Sequence, residues 1–350
     1  MFRLLTRVLL LLAIVVIVQM GVLPYLRPLS STANHLLAGV APQHEVILFC
    51  DSTNRWTATD DVDRQSIGDM TAACFPGLKL GQADGNGLHA EVFETAVERI
   101  ASRSRMPQVI IVPINLRSFC LAWRANPNQQ LDTLVNEIRY SGQRWRLGAL
   151  AFTKMFPRPS SVVPAYESLP VFCGEHQVGQ VMDFDNQTFK EADEAKAKKK
   201  FILHYMYPLS ADSQRLQSLV RLARTATQQG AQVIFYVTPI DVDSGIAHLG
   251  AEFQQQVAKN IAVIREQLQP TKAHLIDLSC SMPADVFTYE SYPDEHLNQD
   301  GRAFIASALG YSLQQAGISP LADAAIAGMR YVYHPGHAPR IATGPQSLLR

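Results

Sequence analysis

Two stretches at opposite ends of the chain carry side chains suited to nucleophilic attack and proton transfer. Val46-Ile-Leu-Phe-Cys50 runs into Asp51-Ser52-Thr53-Asn54, and far downstream Tyr292-Pro-Asp-Glu-His-Leu-Asn-Gln-Asp-Gly301 sets Asp294 and Glu295 beside His296. A serine hydroxyl attacks a carbonyl when a base takes its proton, and an imidazole that titrates near neutrality does this best. A carboxylate must then orient the imidazolium. Asp294 is the candidate acid, with Asp277, at the end of an apolar run, and Glu295 as alternatives. The oxyanion of acyl transfer also needs fixed donors, each worth about 10² to 10³ in rate. A glycine turn around Gly81 and Gly85 offers backbone N–H, and Pro113-Ile114-Asn115 offers a side-chain amide.

Such residues meet only if the chain brings distant segments together. Short apolar runs at Val46–Cys50, Gly77–Gly81, Pro107–Val112, Gln232–Val237 and His274–Leu278 read as strands. Between and after them, Leu88–Ser102, residues 128–155, Asp212–Gln229, Glu252–Gln269 and Gly301–Ala316 have helical spacing. This alternation predicts an α/β fold, a parallel sheet with helices on both faces. In such sheets ligands gather at the carboxyl ends of the strands, and Asp51-Ser52, the Gly81–Gly85 turn and Asn115 all stand there. The expected domain spans 45–316. Within it 155–205 is an irregular insertion whose run Glu191–Lys200 reads as a solvated helical face, and 317–350 is a loose tail.

Ahead of the domain, Arg3 and Arg7 precede an unbroken apolar run from Val8 to Val18, continued to Leu26 with only Gln19 and Pro24 intervening. About 19 helical residues cross a bilayer core of roughly 30 Å. Residues 1–27 therefore read as a transmembrane anchor with a cytoplasmic N-terminus, by the positive-inside rule, and 28–44 as a linker. The domain then faces the periplasm or cell exterior. A cleaved signal peptide is the competing reading, and it too exports the domain. Lys plus Arg and Asp plus Glu number 31 each, so the basic excess of a nucleic-acid binder is missing. The five cysteines lie far apart with no CxxC pair, which argues against a zinc site and leaves disulfide pairing open.

The blocks resemble the SGNH (GDSL-like) hydrolase superfamily, of the membrane-anchored bacterial type. Phe49-Cys50-Asp51-Ser52 is similar to its Gly-Asp-Ser block with cysteine for glycine, and Pro113-Ile114-Asn115 to its Gly-x-Asn block with the glycine replaced. His296-Leu-Asn-Gln-Asp-Gly301 fits the continuation of its Asp-x-x-His block, although Pro293 stands three before the histidine and Asp294 two before. The resemblance implies a flavodoxin-like three-layer fold. It implies Ser52 as nucleophile, His296 as base, Asp294 as orienting acid and Asn115 as oxyanion donor beside Gly85, with Gly81 and Gly87 as rivals. It needs no cofactor and no metal.

Together with the anchor, it implies a serine esterase or acyltransferase acting on acyl, commonly acetyl, esters of a cell-surface or secreted polysaccharide. Other membrane-bound polysaccharide-modification proteins are the partners this suggests. The altered glycines and shifted acid also fit a degenerate module that binds glycan or a partner without turnover, and the same chemistry serves a lipid or thioester hydrolase. Ser52 alone fits a helix cap; the His296 block at the other end makes it read as a nucleophile.

Overall fold

Five strands of the chain assemble one sheet in the computed structural model, which describes residues 2–22, 28–103, 105–126, 131–154, 165–184, 194–289, 293, 295–319, 331–332 and 340–341. They are β1 (Val46–Cys50), β2 (Leu80–Asp84), β3 (Val109–Ile114), β6 (Gln232–Val237) and β7 (His274–Asp277), all parallel in the order β2-β1-β3-β6-β7. Two further strands, β4 (Pro170–Cys173) and β5 (His176–Gln180), form a separate antiparallel hairpin.

β1 and β3 are buried along their whole length, which is why their sequences read as continuous apolar runs. Their side chains alternate between two cores. Ile47, Phe49, Ile110 and Val112 join a core that includes Leu36, Phe93, Leu219 and Phe253. Those four come from α2 (Ser31–Gly39), α4 (Ala90–Arg103), α8 (Gln214–Gln228) and α10 (Ala251–Leu268). Val46, Leu48, Val109 and Ile111 join a second core with Ile67, Met70, Phe304 and Leu309. These belong to α3 (Ile67–Ala73) and α11 (Gln299–Gln315). The result is a three-layer α/β fold, as expected. Each fully buried Leu, Ile or Phe contributes about 1.5 to 3 kcal/mol of apolar transfer to it.

Several boundaries differ from the sequence reading. Residues 28–44 are not only a linker: Ser30 caps α2 by accepting a bond from Ala33 N, and Ala33, Leu36 and Gly39 of that helix are buried. A Cβ on Gly39 would lie 2.1 Å from the Gln82 carbonyl oxygen, and one on Gly81 2.1 Å from that of Gly39. The two glycines let α2 sit directly on β2. That contact draws the second strand to Leu80–Asp84, three residues later than the apolar run suggests. The helical stretch 128–155 divides into α5 (Asp132–Tyr140) and α6 (Trp145–Lys154) around Gly142. The span expected to be irregular contains the β4–β5 hairpin and α7 (Glu194–Tyr205). All five cysteines are free thiols.

The apolar N-terminus is helical. α1 (Phe2–Ile17) continues into a π-helical turn, Val18–Val22. From Arg3 to Val22, 20 residues with mean hydropathy 2.4 and none buried are long and apolar enough to cross a membrane.

In strand order the sheet runs second-first-third-fourth-fifth, so its connections reverse direction between β1 and β3. That is the switch point at which a doubly wound sheet opens a crevice.

Candidate active site

Ser52 stands at this crevice. Directly after β1 the chain turns into a short 3₁₀ helix, Ser52–Asn54, capped by Asp51. Asp51 is buried, and its Oδ1 accepts from Thr53 N at 2.9 Å and Thr53 Oγ1 at 2.6 Å. The cap is thus Asp51 itself, which leaves the Ser52 hydroxyl for other work. The turn is pinned from below: Asn54 Nδ2 donates to Gln82 Oε1 at 3.2 Å, and Asn54 Oδ1 accepts from Gly68 N at 2.9 Å. Gln82 Nε2 in turn donates to Asp69 at 2.7 Å. Although burial opposes charge on Asp69, bonds from Ser66 and Gln82 outweigh it and hold the carboxyl below its ordinary range. Cys50, the residue before Asp51, is no rival nucleophile. Burial pushes its thiol far up, and nearby Asp84 and Asp51 push the same way, so it stays protonated.

His296 approaches from the other end of the chain. Its Nε2 lies 3.0 Å from Ser52 Oγ, within the reach of a nucleophile–base pair. The backbone around it is fixed by a bridge between Phe287 and Leu297, with Thr288 N donating to His296 O at 2.9 Å and Asn298 N to Val286 O at 2.9 Å. Asn298 caps α11 by accepting from Gly301 N at 3.1 Å, and Leu297 is fully buried. The His-Leu-Asn-x-x-Gly string is therefore an anchor plus a helix start that hold the imidazole forward. Trp56 stacks on the ring, centroids 4.4 Å apart and planes 16° apart.

Two further residues, Arg302 and Glu295, bind these segments together. Arg302 on α11 is fully buried. It donates from Nη1 to Leu297 O at 3.0 Å, Trp56 O at 3.1 Å and Asp61 Oδ2 at 2.7 Å, and from Nε to Gln65 O at 3.1 Å. It clamps the segment after Ser52 to the segment carrying His296. Its only signal in sequence is an arginine on an apolar helix face. Glu295, offered above as an alternative acid, is buried. Its carboxylate takes the Tyr205 hydroxyl and an ion pair with Arg117 Nη2 at 2.7 Å. Arg117 also lies 4.7 Å above the Trp123 ring. Glu295 thereby ties the histidine segment to the β3 end and to α7.

Of the other carboxylates, Asp277 ends β7 and accepts from Ser279 Oγ at 2.7 Å and N at 3.1 Å, with Arg265 at 3.5 Å. Asp294 lies outside the described residues.

Asn115 caps the turn after β3, with Oδ1 accepting from Arg117 N at 3.1 Å. Its Nδ2 donates to Asp51 Oδ2 at 3.3 Å, across the β1/β3 crevice. An amide nitrogen carries two hydrogens, and this bond takes one. On the opposite side of β1, Cys50 pairs with Asp84, so the register continued by one residue sets Gly85 alongside Asp51. Gly81 lies inside β2 against α2, away from the strand end, and Gly87 follows in the turn with φ +66°.

Ser52, His296, Asn115 and Gly85 thus come to one edge of one sheet. No family model and no curated protein matches the chain. Among solved structures it is similar to a variant of Axe2, an acetyl-xylooligosaccharide esterase from Geobacillus stearmophilus, at 9% identity and a TM-score of 0.38. That match covers 80% of this chain and 97% of the other.

Proposed function

We propose that this chain is a membrane-anchored, extracytoplasmic serine esterase or acyltransferase whose substrate is an acyl ester, in particular an acetylated cell-surface or secreted polysaccharide. The observation that carries it is the 3.0 Å contact between Ser52 Oγ and His296 Nε2.

Ser52 Oγ attacks the acyl carbonyl carbon while His296 Nε2 takes its proton. The oxyanion is held by the Ser52 and Gly85 N–H groups and the second N–H of Asn115 Nδ2. His296 then protonates the departing alcohol oxygen. Water, or a sugar hydroxyl, repeats the sequence in reverse to release or pass on the acyl group. Asp294 orients the imidazole, and no cofactor takes part. Arg3 and Arg7 in the first turns of the apolar helix, ahead of its uncharged run from Val8, support a cytoplasmic N-terminus.

One observation favours a second reading. The Asn115 amide is already engaged by Asp51, as in a site retained for binding glycan without turnover. Hydrolysis of nitrophenyl acetate by the full chain in detergent separates the two. Turnover that falls at least about 10³-fold in both Ser52→Ala and His296→Ala supports the esterase. A folded wild type as inert as its variants supports the binding module.

A further inference from the structure

We propose that α6 (Trp145–Lys154) is a second membrane contact, lying on an anionic phospholipid surface beside the end of the N-terminal span; this rests on the anchored reading above. α6 packs against the Val18–Val22 turn. The span from Arg3 to Val22 has 20 residues. Val18–Val22 is the domain-side end of that span, so an element packed against it lies near the level at which the span leaves the bilayer on the domain side.

The sequence of α6 suits that level. Ser141-Gly-Gln-Arg-Trp-Arg-Leu-Gly-Ala-Leu-Ala-Phe-Thr-Lys154 carries three cations, no acid and a helix of small and apolar residues. Trp145 is 45% exposed. The Arg146 guanidinium lies 5.4 Å over the Trp145 ring and 5.5 Å over Tyr140. Tryptophan and tyrosine favour the interface because a ring enters the acyl boundary while its polar edge stays wet. Arginine beside them meets lipid phosphates bidentately, and a basic residue near an anionic surface is worth about 1 kcal/mol. The chain is therefore held to the membrane at two points, which limits how the domain can swing on its anchor.

The test uses the full chain in nanodiscs containing brominated phosphatidylglycerol, with tryptophan emission as readout. Bromine quenches only rings within the bilayer boundary. The proposal expects quenching in the wild type that is mostly lost in Trp145→Phe and kept in Trp123→Phe. It also expects Arg144→Glu with Arg146→Glu to weaken the quenching. A chain that enters the discs but is quenched equally with and without Trp145 overturns the α6 contact and leaves the anchor standing. A chain that does not enter the discs overturns the anchored reading and the proposal with it.

Discussion

The indole of Trp56 lies flat on the imidazole of His296, 4.4 Å between centroids, only four residues beyond the serine that the same imidazole reaches. The stack restrains the ring to the plane in which Nε2 meets Ser52 Oγ. Trp56 is 39% exposed, so its removal leaves the core intact. Trp56→Ala is expected to lower kcat by about 10-fold through lost alignment with little change in Tm, and Trp56→Phe to recover most of it. Steady-state kinetics beside thermal unfolding checks both.

Arg302 makes the opposite kind of prediction. Its guanidinium satisfies carbonyls of Trp56, Leu297, Gln65 and Asp63 as well as the Asp61 carboxylate. Arg302→Met strips a buried ion pair of its cation and leaves those acceptors unmet, at a cost of about 3 to 5 kcal/mol. Arg302→Lys recovers little, since an ammonium cannot present a planar fork. Denaturant unfolding of the two variants is expected to show both well below the wild type.

Acid is expected to destabilise the domain through His204. Burial of the ring, with Arg117 and Lys200 nearby, holds its pKa well below the ordinary value, and the ring's Nδ1 is buried without a bonding partner. The unfolded chain takes up a proton near pH 6.5, whereas the folded one does not until the pH is far lower. Proton uptake by the unfolded state means stability is full above pH 6.5 and falls as the pH drops from there toward the folded value. His204→Gln is expected to flatten that slope in Tm measured from pH 7.5 to 5.0.

Much of this arrangement was legible in the sequence, for physical reasons. β1, β3 and β6 are buried runs of apolar residues, and α8 and α10 carry one apolar face, so type and order followed from periodicity. β2 was displaced because its position depends on Gly39 and Gly81 meeting, a tertiary contact between residues far apart in sequence. α2 was missed because its burial rests on small residues, Ala33 and Gly39, that carry little hydrophobic signal. The Ser52 and His296 blocks stood out because their residue types have few other reasons to follow a strand and precede a helix. Arg302 and the Arg117–Glu295–Tyr205 contacts could not be read, since charged residues announce a partner only when the fold supplies it. The acid remains with Asp294 as a proposal; Asp277 and Glu295 have other partners in Arg265 and Arg117.

The central claim is that His296 activates Ser52. The most direct measurement is labelling of the full chain by a fluorophosphonate, followed by mass spectrometry of the modified peptide. The account predicts that the adduct forms on Ser52, and that labelling is lost in Ser52→Ala and slowed by orders of magnitude in His296→Ala. Labelling at another serine, or a folded wild type that reacts no faster than His296→Ala, would contradict it.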